Sequence, residues 1–182
     1  MTAHRLDAVR SFVSRVTPSR KPELSLPPHS FTDGKNREIR LRTYEDELFE
    51  SLVTLYVTFD PADRAQGTPP LGEPAVREWL QTVLDSVSVV AFHGDHLVGH
   101  VMFVPDGVGR HELAIFVHQE YQRAGIGKQL LRTGLGQAKQ QGLSKVWLTV
   151  ESWKGSTQKL YTDVGFVTDN PFGTTYRMSQ YL

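Results

Sequence analysis

Apolar residues return along the chain at two spacings, and the places where one spacing gives way to the other mark out its elements. In residues 6–16, "LDAVRSFVSRV", Leu6, Val9, Phe12, Val13 and Val16 share one helical face, and Pro18 follows as a stop. The next stretch, to residue 36, is rich in Pro, Ser and Gly and has the composition of a linker. "REIRLRTY" alternates Ile39 and Leu41 with charged residues, which predicts a strand with one buried face. Leu48, Leu52, Leu55 and Phe59 then recur at helical spacing behind Thr43 as an N-cap. After the turn-rich "DPADRAQGTPPLG", a second helix is predicted by Val76, Trp79, Leu80, Val83 and Leu84. Residues 87–107 read as two strands joined at Gly94-Asp95, a hairpin signal, and "HELAIFV" is another strand. Ile126, Leu130, Leu131, Leu135 and Ala138 predict a helix that stops at Gly142. "KVWLTV" is a strand, "GSTQKLYTDVGF" a short helix ending at Gly165, and "TTYRMSQYL" a closing strand, giving the order β-α-α-β-β-β-α-β-α-β.

Composition narrows what such a chain can do. At 182 residues, 39% apolar and 22% charged, it fits one globular domain with a real core, and no apolar run approaches the length of a membrane span. The absence of cysteine rules out a disulfide framework, a thiol nucleophile and a Cys-ligated metal; it fits a reducing compartment, so the cytoplasm is the expected location. A net charge of zero hides an asymmetry: residues 1–37 hold seven Lys/Arg against three acids, and the rest is correspondingly acidic. Such a body is a poor partner for nucleic acid, whose phosphates need a positive face, and suits a cationic acceptor. The basic N-terminal helix suits docking on the domain or contact with a second copy in a homodimer; a transit peptide or a membrane-surface helix is the alternative.

The candidate chemistry begins at "YQRAGIGKQLL", residues 121–131, where two glycines stand between the "HELAIFV" strand and the following helix. The first N–H groups of a helix lack intrahelical partners and lie at the positive end of its dipole, so a phosphate suits this position. A Walker A loop needs glycine where Gln122 stands and Ser or Thr where Gln129 stands, and a dinucleotide fingerprint needs a third glycine where Leu130 stands. The spelling Gln122-Arg123-Ala124-Gly125-Ile126-Gly127 instead resembles the Gln/Arg-x-x-Gly-x-Gly/Ala pyrophosphate loop of the GNAT superfamily of N-acetyltransferases. "KLYTDVGF", about 33 residues further on, resembles the Leu-Tyr-x-x-x-Gly-Phe signature of the same superfamily, and the element order is the one it uses.

The resemblance implies an α/β fold with a mixed, mostly antiparallel central sheet between two layers of helices. Residues 1–36 would be an extension and linker, and 37–182 a single acetyltransferase domain. It implies acetyl-CoA as acyl donor and no metal, with the backbone from Gln122 through Arg123, Ala124, Gly125, Ile126 and Gly127 to Lys128 on the coenzyme A pyrophosphate. Phe116 and Val117 would pair by backbone with the pantetheine arm, in a splay between two strands. Tyr161 matches the tyrosine that protonates the departing sulfur, and Glu112 is similar in placement to a glutamate base used by some members; water relays serve in others. Where the family commonly carries an asparagine that binds pantetheine, this chain has Lys154, whose backbone remains available.

The implied reaction is aminolysis of the thioester by a primary amine, on a small molecule or a protein lysine or N-terminus. Alternatives are a noncatalytic acyl-CoA sensor and a transferase for a larger acyl group. His96 and His100 fall in a predicted strand without zincin spelling, and Gly-x-Ser-x-Gly is absent, so neither a zinc protease nor a nucleophile-elbow hydrolase is expected. The loop with Asp60, Asp63 and Arg64 is the expected acceptor segment: its acids suit an ammonium group and its arginine a carboxylate.

Overall fold

The computed structural model describes residues 23–182 apart from residues 66 and 85; the helix expected over 6–16 lies outside the described residues. Eight strands form one sheet: β1 (His29–Thr32), β2 (Glu38–Thr43), β3 (Val87–His93), β4 (His96–Pro105), β5 (His111–Val117), β6 (Lys145–Glu151), β7 (Val167–Asn170) and β8 (Thr175–Tyr181). Among the described residues four α-helices accompany them: α1 (Phe49–Val57), α2 (Glu73–Val83), α3 (Ile126–Gln140) and α4 (Gly155–Asp163). The strand order is β1-β2-β3-β4-β5-β6-β8-β7. Every neighbouring pair is antiparallel except β5 and β6.

Alternation along the strands sends apolar side chains to both faces, so two cores form. On one face Ile39, Leu41, Val101, Phe103, Leu113, Leu148 and Val150 meet Leu130, Leu131 and Leu135 of α3 and Tyr161 of α4. On the other, Val90, Met102 and Phe116 meet Leu52, Leu55 and Tyr56 of α1 and Val76 and Leu80 of α2. The result is the expected helix–sheet–helix sandwich, and the spacing that predicted α1 picks out side chains that are buried: Leu48, Leu52, Leu55 and Phe59. Among the described residues no helix is long and apolar enough to cross a membrane.

Three local expectations are corrected. Part of the stretch with linker composition is strand β1, which pairs with β2 from His29↔Leu41 to Thr32↔Glu38. Strand β7, absent from the sequence pattern, lies on the far edge with all four residues exposed. Thr43 is not an N-cap, because it completes β2 opposite Val89; a 3-10 turn, Asp46–Leu48, leads into α1 instead.

Candidate functional site

The parallel pair at the centre of the sheet is where it opens. Strands β5 and β6 pair only at His111↔Val146 and Glu112↔Trp147, although β5 follows β4 from Pro105↔His111 to Gly99↔Val117 and β6 follows β8 throughout. Beyond Glu112 the two strands diverge, leaving a wedge along β5 in which the Val117 carbonyl accepts from the Gln122 side-chain amide. Which groups face it follows from register. The His118 N–H donates to the Val98 carbonyl at 2.9 Å, so by antiparallel alternation Phe116 and Ala114 also bond β4, whereas Val117, Ile115 and Leu113 turn N–H and C=O toward the wedge. Phe116, expected to pair with pantetheine, is therefore committed to β4 by backbone and to the second core by its ring. It stands edge-on to Tyr56, Phe59 and Trp79. Val117 keeps the expected orientation, and Ile115 joins it.

The glycine turn closes the wide end of the wedge. After β5 a 3-10 turn, Gln119–Tyr121, brings the chain round; Arg123 has φ 57° and Gly125, the N-cap of α3, has φ 86°. The left-handed conformation at Gly125 is one that a side chain resists. Gly127 is different: a Cβ there would meet only Leu160 Cδ2 at 3.7 Å and Val117 Cγ2 at 3.8 Å, so packing does not demand glycine. The helix opens with no side-chain cap, its first intrahelical bond running from Gln129 N–H to the Gly125 carbonyl. The amides of Ile126, Gly127 and Lys128 thus stand at the helix start as donors for an anion. Gln122 takes no part in that set: its N–H reaches back to the Gln119 carbonyl, and its side-chain amide donates to Asp63 Oδ2 at 2.8 Å and the Val117 carbonyl at 3.0 Å. Ala124 and Ile126 are buried anchors, and Arg123 is exposed. Lys128 pairs with Asp163 of α4 at 3.2 Å, in a half-exposed contact.

Helix α4 lies beside this turn and carries Tyr161 into the first core, with Leu113 of β5 and Leu148 and Val150 of β6 in the same cluster. Burial pushes the Tyr161 phenol well above its usual range, and the Glu151 carboxylate adds to the shift, so the phenol stays protonated and keeps a proton to donate. Lys154 is the N-cap residue of α4 and pairs with Glu151 at 3.3 Å. Its side chain is thus tied to the end of β6, while the Glu151 carbonyl receives its N–H.

Glu112 sits where the wedge closes, exposed on the sheet face that also carries Ala114 and Phe116. Tyr161 belongs to the opposite face. Partial desolvation raises the Glu112 pKa, Arg177 opposes that rise, and Asp106 reinforces it.

On the side of the second core, a cleft of about 420 Å³ is lined by Tyr56, Phe59, Asp60, Arg64, Leu71 and Gln119. Its loop is bolted to the turn after β5: the Gln119 side chain accepts from the Asp60 N–H at 3.1 Å and donates to the Thr58 carbonyl at 2.9 Å. Asp60 caps its own 3-10 turn through the Ala62 N–H. The Arg64 guanidinium donates to the carbonyls of Pro69 and Gly67. Nothing in the sequence pattern pointed to Gln119 or Ile115, because their roles depend on which strand or loop lies opposite.

A wedge between two parallel strands, a phosphate turn at its mouth and a buried tyrosine beside it are what a thioester of coenzyme A would occupy. The profile of the acetyltransferase (GNAT) family matches residues 48–166, about two thirds of the chain and all of these parts. The chain belongs to the GNAT acetyltransferase family. No curated protein sequence is significantly similar to it. Among solved structures, the GNAT domain of S. lividans PAT is 19% identical, with TM-score 0.71 over 85% of this chain and 96% of that one. The ribosomal-protein-alanine N-acetyltransferase of Brucella melitensis is 17% identical, TM-score 0.65, over 78% and 99%. The PaiA N-acetyltransferase of Thermoplasma acidophilum, solved in complex with coenzyme A, is 17% identical, TM-score 0.61, over 79% and 99%. At such identities these likenesses support the GNAT fold, and function must be argued from the site.

Proposed function

We propose that this GNAT protein transfers an acetyl group from acetyl-CoA to a primary amine by direct attack on the thioester. The observation that carries the reading is the wedge between β5 and β6 with the Gly125–Lys128 helix start at its mouth. The residues fit the cosubstrate: N–H groups at the helix start suit a diphosphate, the open space at Gly125 lets it approach, and the edge of β5 suits the amides of a pantetheine arm. When bound, acetyl-CoA supplies an activated acyl carbon and a sulfur leaving group.

The chain's own residues handle two protons. Glu112, with its raised pKa, accepts the proton that the amine sheds as the new C–N bond forms, directly or through water. Tyr161 donates its phenol proton to the sulfur as the C–S bond breaks. The two groups belong to opposite faces of the sheet, which lets amine and thiolate occupy opposite sides of the acyl carbon. The cleft at Tyr56, Asp60 and Gln119 opens on the Glu112 face and is the acceptor's place in this scheme.

The test is thiol release from acetyl-CoA across a panel of amines, amino acids, polyamines and lysine peptides. Release that depends on one class of amine supports the reading. Tight coenzyme A binding without release for any amine would make the chain an acyl-CoA sensor instead.

A further inference from the structure

The turn between β1 and β2 has no part in either core, yet it is closely tied. Asp33, 5% exposed, accepts from the N–H of Lys35 at 2.8 Å and of Arg37 at 3.0 Å through Oδ1, and from Arg37 Nε at 2.8 Å through Oδ2. Desolvation works against the charged form, but these hydrogen bonds and the Arg37 charge hold the carboxyl below its usual range. The turn so fixed presents three contacts to the phosphate turn. The Gly34 N–H donates to the Ala124 carbonyl at 2.9 Å. The Arg37 guanidinium lies 4.2 Å from the centre of the Tyr121 ring and donates to the Glu120 carbonyl at 3.3 Å. On its other side Tyr121 is held by a 3.0 Å hydrogen bond to His93 Nδ1.

The same N-terminal strap also grips the middle of α3. Ser25 Oγ is 2.8 Å from Thr133 Oγ1, and a Cβ on Gly136 would come within 2.0 Å of the Ser25 carbonyl oxygen, so the glycine is what lets the strap lie there.

We propose that the Asp33–Arg37 turn is a positioning element of the coenzyme A site, bracing Ala124 and the Gln119–Tyr121 turn so that the amides at the start of α3 converge on the diphosphate. The proposal rests on the acetyltransferase reading. Its physical logic is that Arg123 and Gly125 both hold left-handed backbone conformations, and Arg123 does so at a cost that surrounding structure must meet. Ala124 lies between them, and its carbonyl is held from outside by Gly34. A looser turn would have to be ordered again by each ligand that binds.

Gly34 allows a perturbation aimed at this contact. The Asn36 N–H bonds the Asp33 carbonyl at 3.1 Å, which makes Gly34 the second residue of a β-turn, where proline is favoured. Gly34→Pro removes the N–H that holds Ala124 and sets its ring Cδ in the path of that bond, against the Ala124 carbonyl, so the hairpin stays while its grip on the phosphate turn is lost. Titration calorimetry of the full chain with coenzyme A, paired with thermal melting, reads both effects. Loss of that bond, with the Ala124 carbonyl pushed aside as well, should weaken coenzyme A binding about fivefold or more. Arg37→Ala, which removes the stacking and the carbonyl contact together, should weaken it about tenfold or more. Arg37→Lys, keeping a cation over the ring and near Asp33, should recover part of that loss. A contribution to stability alone would lower the melting temperature and leave affinity at 20 °C unchanged, so folded Gly34→Pro and Arg37→Ala chains that bind coenzyme A like the wild type would overturn the proposal. A wild-type chain that binds no coenzyme A would remove the acetyltransferase reading and this inference with it.

Discussion

Gly127 separates what the fold requires from what a ligand requires. It is the second residue of α3, and a Cβ there finds only ordinary contacts with Leu160 and Val117, the nearest at 3.7 Å. The folded chain without ligand should therefore prefer alanine. Alanine exceeds glycine by roughly 0.5–1 kcal/mol in a helix interior, and about half of that is reasonable so near an end. For a chain of this length that corresponds to a rise in Tm of about 0.5–2 °C. The added methyl would stand between Val117 and Leu160, the space through which the arm leaves the diphosphate in the proposed complex. Losing one hydrogen bond to a charged phosphate costs about 1.5–3 kcal/mol, roughly ten- to a hundredfold in Kd. Gly127→Ala should thus raise Tm and weaken coenzyme A binding in the same protein. Differential scanning calorimetry and isothermal titration on one preparation would show the opposite signs. Unchanged or tighter binding would refute the idea that this glycine serves the cofactor, and a clear fall in Tm would refute the packing on which the argument stands.

Other outcomes follow from the same geometry. Tyr161→Phe should keep the KM for acetyl-CoA and lower kcat by about 10²- to 10⁴-fold, because a hydrogen bond to the sulfur strengthens as thiolate charge develops; an active, stable variant would remove the general acid. Glu112→Gln should lower kcat at neutral pH and flatten the acidic limb of the pH–rate profile with little change in acetyl-CoA affinity, and an unaltered limb would point to water or another carboxylate. His100 is fully buried, bonded through Nδ1 to the Tyr56 hydroxyl at 2.7 Å, and desolvation lowers its pKa from 6.5 to about 3. The unfolded chain takes up that proton first, so the stability due to a neutral His100 is intact above pH about 6.5 and falls away as pH drops toward 3, by at most ~1.4 kcal/mol per pH unit. Urea unfolding between pH 7.5 and 5 should show a shallower loss for His100→Asn than for the wild type; parallel curves would count against it.

How far the sequence could be read depended on whether a feature was local. The glycine turn, α3, the Gly94-Asp95 hairpin and α4 with Tyr161 all stand where spacing and turn residues placed them. Strands β1 and β7 left no clear pattern because each is a four-residue edge strand, the first half exposed and the second wholly so. The orientation of Phe116 was out of reach for a different reason. Alternation tells which residues share a face, but only the register against β4 tells which backbone groups face the wedge. The brace at Asp33 and the Gln119 staple join segments 59 or more residues apart, and neither leaves a signature in a stretch of linker-like or loop-like composition.

The claim at the centre of this account is that coenzyme A lies in the wedge, and a crystal structure of the full chain grown with acetyl-CoA tests it most directly. The diphosphate should lie within hydrogen-bond distance of the amides at the start of α3, between Gly125 and Lys128. The pantetheine arm should run along β5 and pair with the backbone of Val117 and Ile115, with the thioester sulfur near the Tyr161 hydroxyl. Electron density for the cosubstrate elsewhere on the molecule, with the space between β5 and β6 empty, would contradict the site, the mechanism and the brace together.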